Sequence, residues 1–149
     1  MTSYMLDTNA FNRALDARVD PPTLSERGRL FITHIQRNEI QATCNEERLA
    51  ALLAIFEAVE QENVPTAAAV WDVSEWGAAE FGSDNGSYER MLEALNRLNG
   101  NRRNNNAQDV LIALTALKRD YVLVTNDRHL GEVLREHGGR GILYEEFMR

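Results

Sequence analysis

One stretch near the amino terminus has the sequence YMLDTN, from Tyr4 to Asn9. Three apolar residues that end at Asp7 are typical of a short buried strand. Asn9 is a suitable N-cap for a following helix that contains Phe11 and Leu15. A strand that passes directly into a helix is the unit from which α/β proteins are built. The stretch therefore predicts an α/β fold in which an acidic side chain follows a strand.

The same alternation of strands and helices continues along the chain. Apolar runs predict further strands at Leu30–Thr33, Ala67–Val73, Val122–Thr125 and Ile142–Tyr144. Apolar residues at helical spacing predict helices between them, and loops are expected at Pro21-Pro22, Gly82–Ser87 and Asn99–Asn106. Strands and helices that alternate at short spacing imply parallel strands with helices on both faces of the sheet. We expect a single domain over residues 1–149.

The composition limits the kinds of protein that the chain can be. Its 149 residues suit one domain, and the longest apolar run, Leu49–Phe56, is too short to cross a membrane. The amino terminus lacks the pattern of a secretory signal, and the single Cys44 cannot form an internal disulfide, so a cytoplasmic protein is expected. The net charge of −7 argues against a protein that coats nucleic acid with a broad cationic face.

Four acidic residues lie where a metal site could be built. Asp7 and Asp127 each follow a predicted strand, Glu39 lies in the helix after the second strand, and Asp109 lies in the first turn of an apolar helix. In parallel sheets, ligands bind beyond the carboxyl ends of the strands. Carboxylates gathered there from separate segments are the hard oxygen ligands that a two-metal phosphodiesterase site needs. The four residues are therefore candidate ligands for Mg²⁺ or Mn²⁺.

Each of these residues also has a purely structural interpretation. Asp127 could be only the N-cap of its helix, and Asp109, three residues after Asn106, could be a capping carboxylate. Asp7 could belong to an Asx-turn, and Glu39 could be a solvated helix residue. Taken singly, the structural interpretations are favoured. The order of the four residues and their flanking elements favour a common site.

That order resembles the PIN-domain family. The segment Met5–Asn9 (MLDTN) is similar to the opening motif of the family, and Thr33–Ile40 (THIQRNEI) is similar to the second motif, which ends in a glutamate. The segment Asn106–Ala113 (NAQDVLIA) is similar to the third motif, and Val124–Asp127 (VTND) to the fourth. The resemblance extends from Met5 to about Leu130. Four motifs in the right order are much more specific than the Asp-Thr-Asn triplet alone.

The resemblance has implications for both fold and activity. It implies a three-layer α/β/α sandwich with a central parallel sheet of about five strands, and Mg²⁺- or Mn²⁺-dependent endonucleolytic cleavage of RNA. The acidic positions of the family carry over onto Asp7, Glu39, Asp109 and Asp127, and the expected supporting residues are Thr8, Asn9 and Thr125. Many stand-alone members of this size are toxins of toxin–antitoxin pairs, inhibited by a small antitoxin. The oligomeric state, including a homodimer, is left open.

Two arginines are candidates for binding RNA. Arg102 and Arg103 lie in the Asn-rich loop just before Asp109, where phosphate contacts would hold RNA across the acidic residues. The alternative is a solvated loop with no role in binding. The sequence does not decide between the two.

Two other functions fit part of the pattern. A haloacid dehalogenase-type phosphatase also has a strand that ends in aspartate, but that class needs a second aspartate where this chain has Asn9. A non-catalytic RNA- or protein-binding module could retain the same fold. Four carboxylates held close together are costly to keep without a metal, which argues against the module.

Overall fold

The computed structural model describes residues 1–58, 62–63, 86–99 and 106–149. The strands of the sheet are β1 (Ser3–Leu6), β2 (Arg29–Ile32), β3 (Glu62–Asn63), β4 (Val122–Val124) and β5 (Arg140–Ile142). The helices described are α1 (Thr8–Asp16), α2 (Pro21–Ser25), α3 (His34–Gln41), α4 (Glu46–Ala58), α5 (Ser87–Asn99), α6 (Asn106–Lys118), α7 (Arg128–Glu136) and α8 (Tyr144–Phe147). None of the helices in these ranges is long and apolar enough to cross a membrane.

The strands form a parallel sheet with β1 at its centre. The order is β3-β2-β1-β4-β5, and β3 contributes a pairing of only two residues at one edge. Tyr4 of β1 is in register with Leu30 of β2 and with Val122 of β4. Because these three strands are parallel, their carboxyl ends meet at the same edge of the sheet. The residues that follow them therefore lie side by side.

Alternate residues of the sheet face two separate hydrophobic cores. Met5, Phe31 and Leu123 belong to one core, which contains the buried residues of α5, α6 and α7. Leu6 and Val124 belong to the other core, which contains those of α1, α2 and α4. This alternation is the period of two that a pleated strand imposes. Helices on both faces of a parallel sheet confirm the α/β class and the three layers that were expected.

The structure corrects several expected boundaries. Pro21-Pro22 begins α2 instead of a loop, because proline is well suited to the first turn of a helix. The last strand ends at Ile142, and Tyr144 begins α8 instead of closing a strand. The N-cap of α1 is Asp7, two residues before Asn9. In each case a short local pattern suited two structures, and the tertiary contacts decided between them.

Some expectations fall outside the described residues. The strand predicted at Ala67–Val73 lies there, as do Arg102 and Arg103 and most of the two predicted loops. At the borders of those loops, Ser87 begins α5, Asn99 ends α5 and Asn106 begins α6. These three residues therefore belong to helices.

The close approach of β1 and β2 depends on Gly28. A Cβ atom at this position would lie 2.5 Å from the carbonyl oxygen of Thr2 and 2.7 Å from Cε2 of Tyr4. We predict that Gly28→Ala lowers the free energy of unfolding by about 1–3 kcal/mol, because backbone must move to admit the methyl group. Urea denaturation measures the change. Gly141→Ala is the matched control, since its nearest atoms would lie at an ordinary 3.5 Å. Equal stability of the Gly28 variant and the wild type would contradict the prediction.

Candidate metal centre

Asp7 lies at the carboxyl end of the central strand and is almost fully buried, with 5% of its surface exposed. Its backbone N–H donates to the carbonyl oxygen of Val124 at 3.0 Å, which fixes it beside β4. Its side chain caps α1, with Oδ1 accepting from the backbone N–H of Thr8 at 2.8 Å. Oδ2 accepts from Oγ1 of Thr125 at 2.8 Å and from Nδ2 of Asn9 at 3.1 Å. Three donors therefore hold the carboxylate in one orientation.

Thr8 joins Asp7 to Glu39. While its backbone N–H donates to Asp7, its hydroxyl Oγ1 donates to Oε2 of Glu39 at 2.5 Å. Glu39 lies in α3, which begins at the end of β2, the strand next to β1. The carboxylates that follow two neighbouring strands are thus linked through one residue.

The environment of Glu39 disfavours its charged form. Burial raises the pKa of this carboxyl, the charge of Asp7 raises it further, and the hydrogen bond from Thr8 acts in the opposite direction. Its second oxygen, Oε1, is buried and has no hydrogen-bond partner in the described part of the chain. A buried polar oxygen without a partner is costly. This oxygen is therefore available to a ligand that carries positive charge.

Thr125 links Asp7 to Asp127. Oγ1 of Thr125 donates to Asp7, accepts from Nδ2 of Asn9 at 3.2 Å, and accepts from the backbone N–H of Asp127 at 3.1 Å. The side chain of Asp127 caps α7, with Oδ1 accepting from the backbone N–H of Leu130 at 3.2 Å. Asp127 therefore has the N-cap role that its sequence position allowed.

The direction of α6 predicts where Asp109 lies. The backbone N–H of Tyr121 donates to the carbonyl oxygen of Ala116 at 2.9 Å, so a tight turn joins α6 to β4 and the two run in opposite directions. α6 has 13 residues and is about 20 Å long, whereas the 3 residues of β4 span about 10 Å. We therefore expect the first turn of α6 to lie beyond the carboxyl end of β4. Asp109 lies in that turn and is buried.

The hydrogen bonds join the acidic residues in pairs. Thr8 joins Asp7 to Glu39, and Thr125 joins Asp7 to the backbone of Asp127. Among the residues that the structure describes, no group of three or more histidine, cysteine or acidic side chains could hold a metal ion. A single ligand set of all four acids therefore stays a prediction.

The Asp7 and Glu39 pair nevertheless fits a divalent cation. Carboxylate oxygens are the ligands that Mg²⁺ and Mn²⁺ prefer. The charge of Asp7 raises the cost of ionising Glu39, and Oε1 of Glu39 is buried without a hydrogen-bond partner among the described residues. A cation between them would remove both costs. The fit rests on these two residues.

Two further residues support the site and were not predicted. Gln36 is fully buried, its Oε1 accepts from the backbone N–H of Thr33, and its Nε2 donates to the carbonyl oxygen of Leu6 at 3.3 Å. The pattern Thr33-x-x-Gln36 is a capping box, so a sequence signal for it existed. Asn126 donates its backbone N–H to Oδ1 of Asn9 at 3.2 Å, for which the sequence carries no comparable signal.

A cleft extends from the site along α7. Its volume is about 370 Å³, and it begins at Thr125 and Asp127. The lining continues with Arg128, Glu132, Arg135, Ile142, Leu143 and Glu146. The cleft therefore offers charged groups of both signs beside an apolar wall.

Comparisons with known proteins give matches among solved structures. No family model and no curated protein matches the chain. The chain is similar to VapBC from Salmonella typhimurium, solved bound to DNA, with a TM-score of 0.55 and 20% identity over 97% of this chain and 99% of that chain. It is similar to PAE2754 from Pyrobaculum aerophilum, with a TM-score of 0.57 and 16% identity over 99% and 93% of the two chains.

A third solved structure is similar over nearly its whole length. VapBC2 from Rickettsia felis, bound to a fragment of promoter DNA, matches with a TM-score of 0.50 and 19% identity over 95% of this chain and 98% of that chain. At these identities the likeness establishes the fold. The fold implied by the PIN resemblance is thus confirmed, and it is one that VapBC structures contain.

The three hydrogen bonds of Thr125 predict a large effect of losing its hydroxyl. We expect Thr125→Val to lower the free energy of unfolding by about 1–3 kcal/mol, because the buried carboxylate of Asp7 loses a donor and two donors lose their acceptor. Thr125→Ser keeps the hydroxyl and should recover most of that loss. Urea denaturation of the two variants tests this, and a valine variant as stable as the wild type would contradict it.

The raised pKa of Glu39 predicts how stability depends on pH without metal. A carboxyl whose pKa is higher in the folded state than its ordinary 4.5 opposes folding once it is charged, so its cost is present at neutral pH. The cost disappears as the pH falls through the raised pKa and then below 4.5. In chelator at neutral pH, Glu39→Gln should therefore raise Tm by about 1–3 °C.

The test of this pH dependence is a pair of thermal melts. The gain from Glu39→Gln should vanish below pH 4.5, where the wild type is protonated. Glu57→Gln removes the same charge from an exposed position of α4 and serves as the matched control. A glutamine variant that is less stable than the wild type at neutral pH would show that the charge of Glu39 is not costly.

Proposed function

We propose that this chain, with the fold found in VapBC structures, is a metal-dependent endoribonuclease that hydrolyses RNA phosphodiester bonds. The observation that carries the proposal is the pair of carboxylates of buried Asp7 and half-buried Glu39, joined through Thr8 beyond the ends of two parallel strands. The order of the four sequence motifs supports it independently. RNA as the substrate comes from the PIN resemblance.

The residues of the chain have distinct roles in this proposal. Asp7 and Glu39 would hold Mg²⁺ or Mn²⁺, with Asp109 and Asp127 completing the ligand set. The cation, when bound, supplies a Lewis acid for the scissile phosphate and a lowered pKa for the attacking water. Thr8 and Thr125 orient the carboxylates through the hydrogen bonds described above. No serine, cysteine or histidine nucleophile is required.

The protonation of Glu39 would also depend on whether a metal ion is bound. Since burial and the charge of Asp7 raise the pKa of its carboxyl, a metal-free protein binds a proton there more readily than a free glutamate does. A cation would displace that proton. Metal binding should therefore be stronger at higher pH, because the ligand must be deprotonated.

The cleft along α7 gives RNA a place to lie. It shares Thr125 and Asp127 with the acidic site, and its volume of about 370 Å³ is within the usual range for small ligand pockets. Arg128 and Arg135 line it and would contact phosphate, while Ile142 and Leu143 offer an apolar wall to a base. Arg102 and Arg103 remain proposed contacts from the loop that precedes α6.

The proposed partner is a small antitoxin protein. The similar VapBC structures are toxin–antitoxin structures, and the PIN resemblance implies an inhibitor that reaches the acidic groove. The net charge of −7 and the buried carboxylates favour a partner that brings cationic side chains to this edge. A cytoplasmic location, expected from the sequence, is part of the same proposal.

The proposal predicts that Asp7→Asn lowers the rate of RNA cleavage by about 100-fold or more in Mn²⁺, because a ligand charge is lost while the hydrogen bonds of the cap can remain. Cleavage of a labelled single-stranded RNA, with and without chelator, measures this. Asp20→Asn is the matched control, since Asp20 is an exposed N-cap residue whose side chain makes no capping hydrogen bond. Cleavage by the wild type that persists in excess chelator, or a rate for Asp7→Asn in Mn²⁺ equal to that of the wild type, would contradict the proposal.

Calorimetric titration with Mn²⁺ separates the proposal from its alternatives. No binding at millimolar metal would favour a non-catalytic RNA- or protein-binding module. Release of phosphate from small phosphomonoesters would favour the haloacid dehalogenase-type phosphatase. Against that class, Asn9 donates its amide to Asp7 at 3.1 Å and so holds the first carboxylate instead of supplying a second one.

A further inference from the structure

Three helix ends meet through asparagine side chains beside the acidic site. Asn96 and Asn99 lie in the last turns of α5, Asn106 is the first residue of α6, and His129 is the second residue of α7. Nδ2 of Asn106 donates to Oδ1 of Asn96 at 2.6 Å, and Nδ2 of Asn99 donates to Oδ1 of Asn106 at 3.1 Å. Nδ1 of His129 lies 2.5 Å from Oδ1 of Asn99. We call these four residues the amide chain.

The hydrogen bonds of the amide chain all run in one direction. Because Nδ2 of Asn99 donates to Asn106, its Oδ1 is the atom that faces His129. The ring nitrogen Nδ1 of His129 must therefore carry the proton and donate it. Both the neutral Nδ1–H tautomer and the imidazolium satisfy this requirement. Hydrogen bonds aligned in this way polarise one another and strengthen the set.

Asn106 is the buried member of the amide chain, whereas Asn96 and Asn99 are half-buried and His129 is exposed. Asn106 is 3% exposed, and a buried amide is costly unless its donors and acceptors are paired. The pairing with Asn96 and Asn99 meets that requirement and ties the start of α6 to the end of α5. The start of α6 is thus fixed more tightly than apolar packing alone would fix it.

The amide chain connects two helices that each carry an acid of the proposed metal site. Asp109 follows Asn106 by three residues in the first turn of α6. Asp127 is the N-cap of α7 and precedes His129 by two residues. A hydrogen-bonded path between the starts of the two helices sets how far apart these acids lie.

We infer that Asn99, Asn106 and His129 are positioning residues, which hold Asp109 at a fixed place relative to Asp127. The inference rests on the proposed function, because it assigns the two acids to one metal site. Residues that orient metal ligands through hydrogen bonds typically change metal affinity by 10- to 100-fold when they are lost. A shift of the first turn of α6 relative to α7 would lower metal affinity in the same way, because it would move Asp109 away from Asp127.

The central variant is Asn99→Ala, which removes two of the hydrogen bonds at a half-buried position. His129→Ala removes one of the same bonds, and His129→Gln is the conservative variant that can still donate to Asn99. Arg97→Ala, exposed in the same turn of α5, is the matched control. We expect Asn99→Ala and His129→Ala each to weaken Mn²⁺ binding, measured by calorimetry, about tenfold. His129→Gln and Arg97→Ala should bind like the wild type.

The double variant tests whether the two residues act through one link. Asn99→Ala with His129→Ala should weaken Mn²⁺ binding no more than Asn99→Ala alone, since the bond between them is already lost. Fully additive losses would overturn the inference. So would Mn²⁺ affinities that are unchanged in every variant.

Hydrogen–deuterium exchange gives a readout that needs no metal. Peptides that cover the first turns of α6 and α7 should exchange about tenfold faster in Asn99→Ala than in Arg97→Ala, with global stability followed by Tm. Unchanged exchange would overturn the inference even if the wild type binds Mn²⁺. Failure of the wild type to bind Mn²⁺ would contradict the proposed function, and faster exchange in the variant would still support the link between the helices.

Discussion

The parallel pairing of β1 with β2 on one side and β4 on the other is the constraint on which the site depends. It brings three strand ends to one edge, so that Asp7, Thr33 and Thr125 follow neighbouring strands. The hydrogen bond from the backbone of Asp7 to Val124 closes this arrangement at its centre. Two hydrophobic cores hold the sheet between them and leave the edge to polar groups. The pairing of the strands therefore determines where the candidate metal site lies.

Polar groups at this edge stabilise one another through shared donors. Thr8 and Thr125 each serve two acidic residues, and Gln36 joins the ends of β1 and β2. Such networks stabilise only when nearly every member is paired. Among the described residues, Oε1 of Glu39 has no hydrogen-bond partner, and it belongs to the carboxyl whose pKa is raised. A site that is complete except for one buried acceptor is suited to a cation.

The sequence predicted those parts of the fold and site that depend on local order. An apolar run that stops at Asp7 or near Thr125 is visible without coordinates, and so is the order of the motifs. Tyr144 was misassigned, because a short apolar run fits the end of a strand or the start of a helix equally well. The contact of Asn99 with Asn106 was not predicted, since it depends on the angles between three helices. Pairing between distant polar side chains is a property of tertiary packing.

The two hydrogen bonds of Thr8 limit which residues position 8 can accept during evolution. Its backbone N–H holds the carboxylate of Asp7 whatever the side chain, whereas its hydroxyl is the group that ties Glu39 to the same residue. Valine would keep the shape and lose the donor to Glu39, whereas serine would keep it. Descendants of this chain are therefore expected to retain a hydroxyl at position 8 for as long as positions 7 and 39 are both acidic. Covariation of these three positions would be the evolutionary record of that shared dependence.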